Sequence, residues 1–259
     1  MGVTTNYLMG RGALKLANRA ADGSPGALTD VGENVVFSVE ITKEYKENYS
    51  SRYAISEKDA HVPIRQALKV MLTIKEAVAK NLEIILHGKS TTYAGGTVTG
   101  AAFPSGIQAG ETYELPGLQG APSALTIVDS TGSPVTLVAG TDYVADLQFG
   151  TVKFNSSALA GKIQPFKASY TQAGATRTSI LAQEVPDKYL RFEGINIANN
   201  DGPRNFLAVI YNAKLLPAKK VDFKGEDYAQ FEIECECLID PNKAEDPELG
   251  RYGYYLPFS

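Results

Sequence analysis

The sequence predicts a mainly β protein: a β-sandwich or barrel-like core with one flanking α-helix and a small all-β insertion. Three observations predict it. Residues 229–239 alternate without a break, Ala229, Phe231, Ile233, Cys235, Cys237 and Ile239 on one face and Gln230, Glu232, Glu234 and Glu236 on the other. Strand side chains alternate with period two, so this is a half-buried strand with an apolar back and an acidic front. Asn205–Leu216 is apolar on both faces, as a central strand must be. Between 111 and 172, short β-type runs are separated by turn signals, and Gly-, Ala- and Thr-rich links flank them.

Taken in order, residues 1–12 are short, polar and Gly-bearing and read as an extended arm. Ala13–Arg19, a turn through residues 22–26 and Val35–Ile41 read as a first hairpin, with Val35, Phe37, Val39 and Ile41 facing inward. Residues 42–60 are charged and rich in Tyr and Ser, with neither period, and read as a long irregular loop, a type that tends to be functional. Val62, Ile64, Leu68, Val70, Leu72 and Ile74 then mark another strand. One helix follows, with Thr73 and Glu76 as a capping box, Val78, Leu82, Ile85 and Leu86 as its apolar stripe, and a stop at His87–Gly88.

Residues 89–110 read as a linker, and 125–128, 135–138, 143–146, 151–155 and 166–172 as the strands of the insertion. After a second link at 173–186 come strands at 189–195, 205–216, 219–223 and 229–239, then a Pro-rich tail with Tyr252, Tyr254, Tyr255 and Phe258. A tail so aromatic and so poor in period is expected to dock on something. The expected division is a core of 1–92 and 174–259 interrupted by 93–173.

Composition narrows the function. A net charge of -4 argues against a dedicated nucleic-acid grip, which needs a basic patch. Cys235 and Cys237 are the only cysteines; two residues apart on one strand face, about 6.5–7 Å between Cα atoms, they suit a disulfide poorly. The opening residues lack the apolar run of a signal peptide, and no stretch approaches a membrane span. His61 and His87 have no Cys, His or Asp neighbours at metal spacing, and no phosphate loop, dinucleotide fingerprint or nucleophile elbow occurs. The expectation is a protein without catalysis, cofactor or metal. Glu232, Glu234 and Glu236 allow two readings: a solvated outer face, or an acidic wall past which something negative slides.

Several segments, in their order, resemble phage major tail proteins, the tail tube subunits of siphophages. They are residues 10–19 (GRGALKLANR), 31–41 (VGENVVFSVEI), 80–89 (KNLEIILHGK), the hairpin module 140–154 and the run 206–241, a likeness over about two thirds of the chain. The resemblance implies an orthogonal β-sandwich with a flanking helix. It also implies subunits in hexameric rings, stacked into a tube around a tape-measure protein and ended by tail tip or baseplate and terminator proteins. Such a tube conducts DNA non-specifically, has no active site, inserts in no membrane, and belongs to the virion after assembly in the host cytoplasm. On this reading Glu232, Glu234 and Glu236 are lumen candidates. The N-terminal arm, the aromatic tail and Lys43, Glu44, Tyr45, Lys46, Tyr49, Arg52, Tyr53 and Lys58 of the irregular loop are ring-stacking candidates. The competing expectation is a β-rich virion or surface adhesin, with the insertion as its binding unit; a third is the tube protein of a contractile tail or a related secretion machine.

Overall fold

A computed structural model describes residues 7–52, 54–198, 204–243, 248 and 250–258. The chain divides into two compact units, one from Met1–Lys89 and Ser179–Ser259, the other from Ser90–Thr178. The first unit begins with β1 (Gly10–Asn18), β2 (Thr29–Asp30), β3 (Asn34–Ser50), β4 (Glu57–Ile74) and α1 (Ala79–Ile85). The second contains β5 (Ser90–Tyr93), β6 (Gly96–Ala102), β7 (Thr112–Glu114), β8 (Pro122–Val128), β9 (Tyr143–Asp146), β10 (Thr151–Phe154), α2 (Ser156–Leu159), β11 (Lys167–Gln172) and β12 (Ala175–Thr178). The first unit resumes with β13 (Lys188–Asn196), β14 (Asn205–Leu215), β15 (Phe231–Cys237) and β16 (Gly253–Phe258). The protein is mainly β, built from several antiparallel sheets.

One sheet, ordered β2-β1-β13-β14-β15-β4-β3 with β16 added on β14, makes the first unit. β14 is central, as its two apolar faces require, and Val209, Ala213 and Leu215 are fully buried. It pairs with β13 along most of its length. On its other edge it pairs with β16 through residues 205–210 and with β15 only through 213–215. The core unites Leu14 and Leu16 of β1, Val70, Leu72 and Ile74 of β4, Leu190 of β13, Phe231, Ile233 and Cys235 of β15, and Ile85 of α1. Both cysteines are free and buried, and burial pushes the Cys237 thiol up to about 12 and Cys235 higher still.

Several expectations are corrected. β1 pairs with β13 and β2, so the hairpin joining Ala13–Arg19 to Val35–Ile41 does not form. β3 instead pairs with β4 through residues 34–50, and residues 42–50 and 57–60 are regular strand, not an irregular loop. They lack the period because both faces of this ribbon meet water, and alternation appears only where one face is buried. Val62 and Ile64 are exposed for the same reason, and so are Val35, Val39 and Ile41 of the supposedly inward face.

Thr73 belongs to β4, so the expected capping box is absent; the Glu76 carboxylate instead accepts from the backbone N–H of Glu33 at 3.1 Å. The helix end is as expected in place but not in chemistry. His87 takes the left-handed conformation (φ 46°) normally given to glycine, and Gly88 N–H donates to the Glu83 carbonyl at 2.9 Å. Residues 219–223 form no strand, Leu238 and Ile239 lie beyond the end of β15, and the aromatic tail docks on its own chain as β16.

The inserted unit has two three-stranded sheets, β7-β10-β9 and β6-β11-β8, around Phe103, Ile127, Phe154, Phe166 and Tyr170. β6, with β5 before it, occupies what reads in sequence as a linker, and residues 135–138 contribute only an isolated bridge at Thr136. β5 and β12 pair with each other at the root of the insertion, which is why the boundary falls at 89/90 and 178/179. The short helix α2 has no counterpart in the expected elements.

Candidate functional site

Three features of the first unit lie outside its core: the open face of β15, the β3–β4 hairpin, and a groove beside β1 and β3. On β15 the alternation is borne out. Phe231, Ile233, Cys235 and Cys237 are buried, while Glu232 and Glu236 are exposed and Glu234 half-buried. Residues directly opposite on antiparallel neighbours share a face. Glu236 stands opposite Lys69 of β4 and Lys214 of β14, and Lys69 stands opposite Glu40 of β3. The row Glu40, Lys69, Glu236, Lys214 therefore alternates in sign across four strands.

Glu234 adds an ion pair with Lys219 at 2.5 Å, and that hydrogen bond, helped by the charge of Lys69, holds its carboxyl below the usual range. The face is zwitterionic, not a bare acidic wall: strand order brings Lys69 and Lys214 beside the glutamates, which the linear sequence conceals. Beside it, a groove of about 490 Å³ runs between Met71, Glu232 and Glu234 and the irregular segment 216–230.

The hairpin carries the stacking candidates. Lys43, Glu44, Tyr45, Lys46 and Tyr49 lie on β3, Lys58 lies on β4, and Arg52 lies in the connection between them; Tyr53 falls outside the described residues, as do residues 1–6 of the arm. Side chains tie the ribbon together. Tyr45 stacks on His61 with ring centroids 4.2 Å apart. Glu47 pairs with Lys58 and accepts from the Tyr49 hydroxyl at 2.8 Å, and these two contacts hold its carboxyl low. Asn48 donates to Asp59 at 2.7 Å, and Arg65 lies 3.5 Å from Glu44. The hairpin tip and the β15 glutamates do not come together: from Lys58 to Lys69 runs on the order of 35 Å of strand.

The groove is the feature the sequence did not single out. It encloses about 790 Å³ between Gly10–Gly12 of β1 and Asn34–Val39 of β3. Four rings line it in file, Phe37, Phe192, Phe206 and Tyr255, with successive centroids 5.2, 5.7 and 5.3 Å apart. Gly194 makes the file possible, because a Cβ there would lie 2.2 Å from the Phe206 ring. These residues come from four strands far apart in sequence, and the one local trace of the groove is Gly194 inside a strand pattern.

Among the described residues no group of three or more His, Cys, Asp and Glu could hold a metal, and no helix is long and apolar enough to cross a membrane. A family model described as "Protein of unknown function UCP028589" matches residues 7–256. No curated protein matches the chain significantly.

Proposed function

We propose that this chain, which belongs to the UCP028589 family, is a structural subunit that polymerises as stacked rings into a phage tail tube, the conduit through which DNA passes. One observation carries the reading. Residues 42–50 and 57–66 pair as a two-stranded ribbon that projects from the core, exposed on both faces apart from a few partly covered residues. Fixing each residue costs about 1–2 kcal/mol, and a lone ribbon of two strands is marginal in water. A ribbon that buries almost nothing of its own subunit is explained if it buries surface on another.

The base of β3 supports the same reading. β3 ends the sheet, and an edge strand in a lone protein is normally blunted by charge, proline or bulges. The outer part of the ribbon has such devices, with Lys43, Lys46, Pro63 and two register shifts. The base presents Val35, Val36, Val39 and Ile41 instead, all of them exposed. Contact with another copy covers such an edge, and a head-to-tail contact between unlike surfaces stacks copies along an axis. The partners this reading implies are further copies of the chain, a tape-measure protein inside, and tip or baseplate and terminator proteins at the ends. The location is the virion tail, after assembly in the host cytoplasm.

Purified protein is expected to pass from small species to rings or tubes as its concentration rises, read by light scattering and negative-stain microscopy. Only monomer at every concentration tested would remove the reading. A second reading, a β-rich adhesin, draws on the separate core of the inserted unit and on Phe149, 70% exposed in its β9–β10 turn. It expects a monomer or a fixed small oligomer instead.

The β15 glutamates test the lumen role. Replacing Glu232, Glu234 and Glu236 together with Lys leaves the buried row in place and joins Lys69, Lys214 and Lys219 in one basic patch. The variant is expected to bind duplex DNA with an affinity that falls steeply with salt, and its particles to deliver DNA more slowly at low salt. Delivery equal to wild type at all salt concentrations would place these residues outside the lumen.

A further inference from the structure

We propose that the tip of the β3–β4 hairpin of one copy docks into the groove between β1 and β3 of the next copy, with Ile55 as its apolar anchor and Glu57 facing Arg11. This deepens the stacking role proposed above and rests on that reading.

Both halves of the contact are unsatisfied in the single chain. At the tip Ile55 is 75% exposed, on a connection that gives it no apolar neighbour from the core. In the groove the file of four rings has an open side, rimmed by Leu8, Val35 and Val39, all exposed. The flanking strands also have free edges there. β3 is the last strand of the sheet, and β1 pairs with β2 only at Lys15 and Leu16, so Gly10–Ala13 has an unpaired edge among the described residues. Aromatic floors with free edges at their sides accept an extended segment through both side-chain and main-chain contacts.

Charge fits the same pairing. Arg11 lines the groove and Glu57 opens β4 beside the tip. Neither belongs to an ion pair among the described residues.

The occupant must be a second copy. One strand leads from groove to tip: from Phe37 to Ser50 β3 runs 13 residue steps (50 − 37), on the order of 43 Å, paired with β4 throughout apart from two bulges. A chain cannot fold that ribbon back on its own groove without breaking the ladder. The contact is therefore between unlike surfaces of two copies. A contact of that kind repeats without closing on itself when the copies are translated along an axis. The length of the ribbon limits the axial repeat to about 45 Å.

Three measurements on the full chain test this. Ile55→Asp is expected to raise the concentration at half-assembly at least about 10-fold, a factor of ten being about half to nine-tenths of what burying one such anchor contributes. Arg11→Glu and Glu57→Arg, both on exposed positions, are each expected to do the same, and the double variant to return to within about 3-fold of wild type. Ile55→Cys combined with Val39→Cys, treated with a bismaleimide after assembly, is expected to give a ladder of covalent multimers; the buried Cys235 and Cys237 stay unreacted. Tubes that form normally in all the single variants, with no ladder from the cysteine pair, overturn the docking proposal and leave the tube reading standing. Absence of any assembly from wild-type protein overturns both. Circular dichroism of each variant confirms that loss of assembly is not loss of fold.

Discussion

Removing the projecting ribbon is expected to abolish assembly while leaving the subunit folded. Thr42 and Ala67 are cross-strand partners, so residues 43–66 can be excised and the two strands joined through an Asn-Gly turn, the two-residue connection that suits strand twist. Among the excised residues that the structure describes, none belongs to the buried core; Tyr45–His61, Glu47–Lys58 and Asn48–Asp59 serve only the ribbon itself. The melting temperature is therefore expected to stay within a few degrees of wild type, since about 1 kcal/mol moves a unit of this size by about 2–4 °C. Rings or tubes are expected to be absent up to at least about 100-fold the wild-type assembly concentration, a difference of at least about 2.7 kcal/mol. Tubes of normal length from the excised protein would take the ribbon out of the stacking argument, and a subunit that no longer folds would show that the ribbon supports the core.

The second large effect is on stability. Arg19, just after β1, and Asp240, after β15, form an ion pair at 3.0 Å; the Asp240 side chain is fully buried and that of Arg19 nearly so. The pair ties the two ends of the sequence together, and Asp240 also accepts the Asn242 N–H at 3.0 Å, while Asn242 reaches back to the Asp22 carbonyl at 2.8 Å. It is incompletely satisfied: Arg19 Nε and Asp240 Oδ2 find no hydrogen-bond partner among the described residues. Removing one partner of a buried pair strands the other charge, a loss of about 3–5 kcal/mol. Asp240→Ala or Arg19→Met is thus expected to lower the melting temperature by about 6–20 °C. The double variant Arg19→Met with Asp240→Leu leaves no stranded charge and is expected to lose less than either single variant. Denaturant unfolding of the four proteins measures the coupling. Losses that simply add would mean that the charges are held by other groups and not by each other.

The three glutamates show how far a local pattern reaches. Their shared face, and the buried row behind them, were legible because period-two alternation is a property of one strand. Their electrostatic setting was not, because Lys69 and Lys214 stand beside them through hydrogen-bonded register across β4, β15 and β14. The ribbon failed in the opposite sense. Periodicity reports burial on one side, so a strand pair exposed on both sides reads as loop, although it pairs along its length with two bulges.

By itself the sequence determined the mainly β class, a central strand read at 205–216, a half-buried strand read at 229–239, a helix just before His87–Gly88 and the presence of an inserted β unit. Each rests on hydrophobic spacing within a dozen residues, which the chain carries wherever it is placed. Tertiary structure alone decided that β1 pairs with β13 and not with β3, that the tail returns as β16 on β14, and that Phe37, Phe192, Phe206 and Tyr255 line one groove. Those outcomes depend on which strands compete for which edge. That competition is settled by the burial of whole faces against one another, a free energy shared among strands nearly two hundred residues apart and written in no one of them.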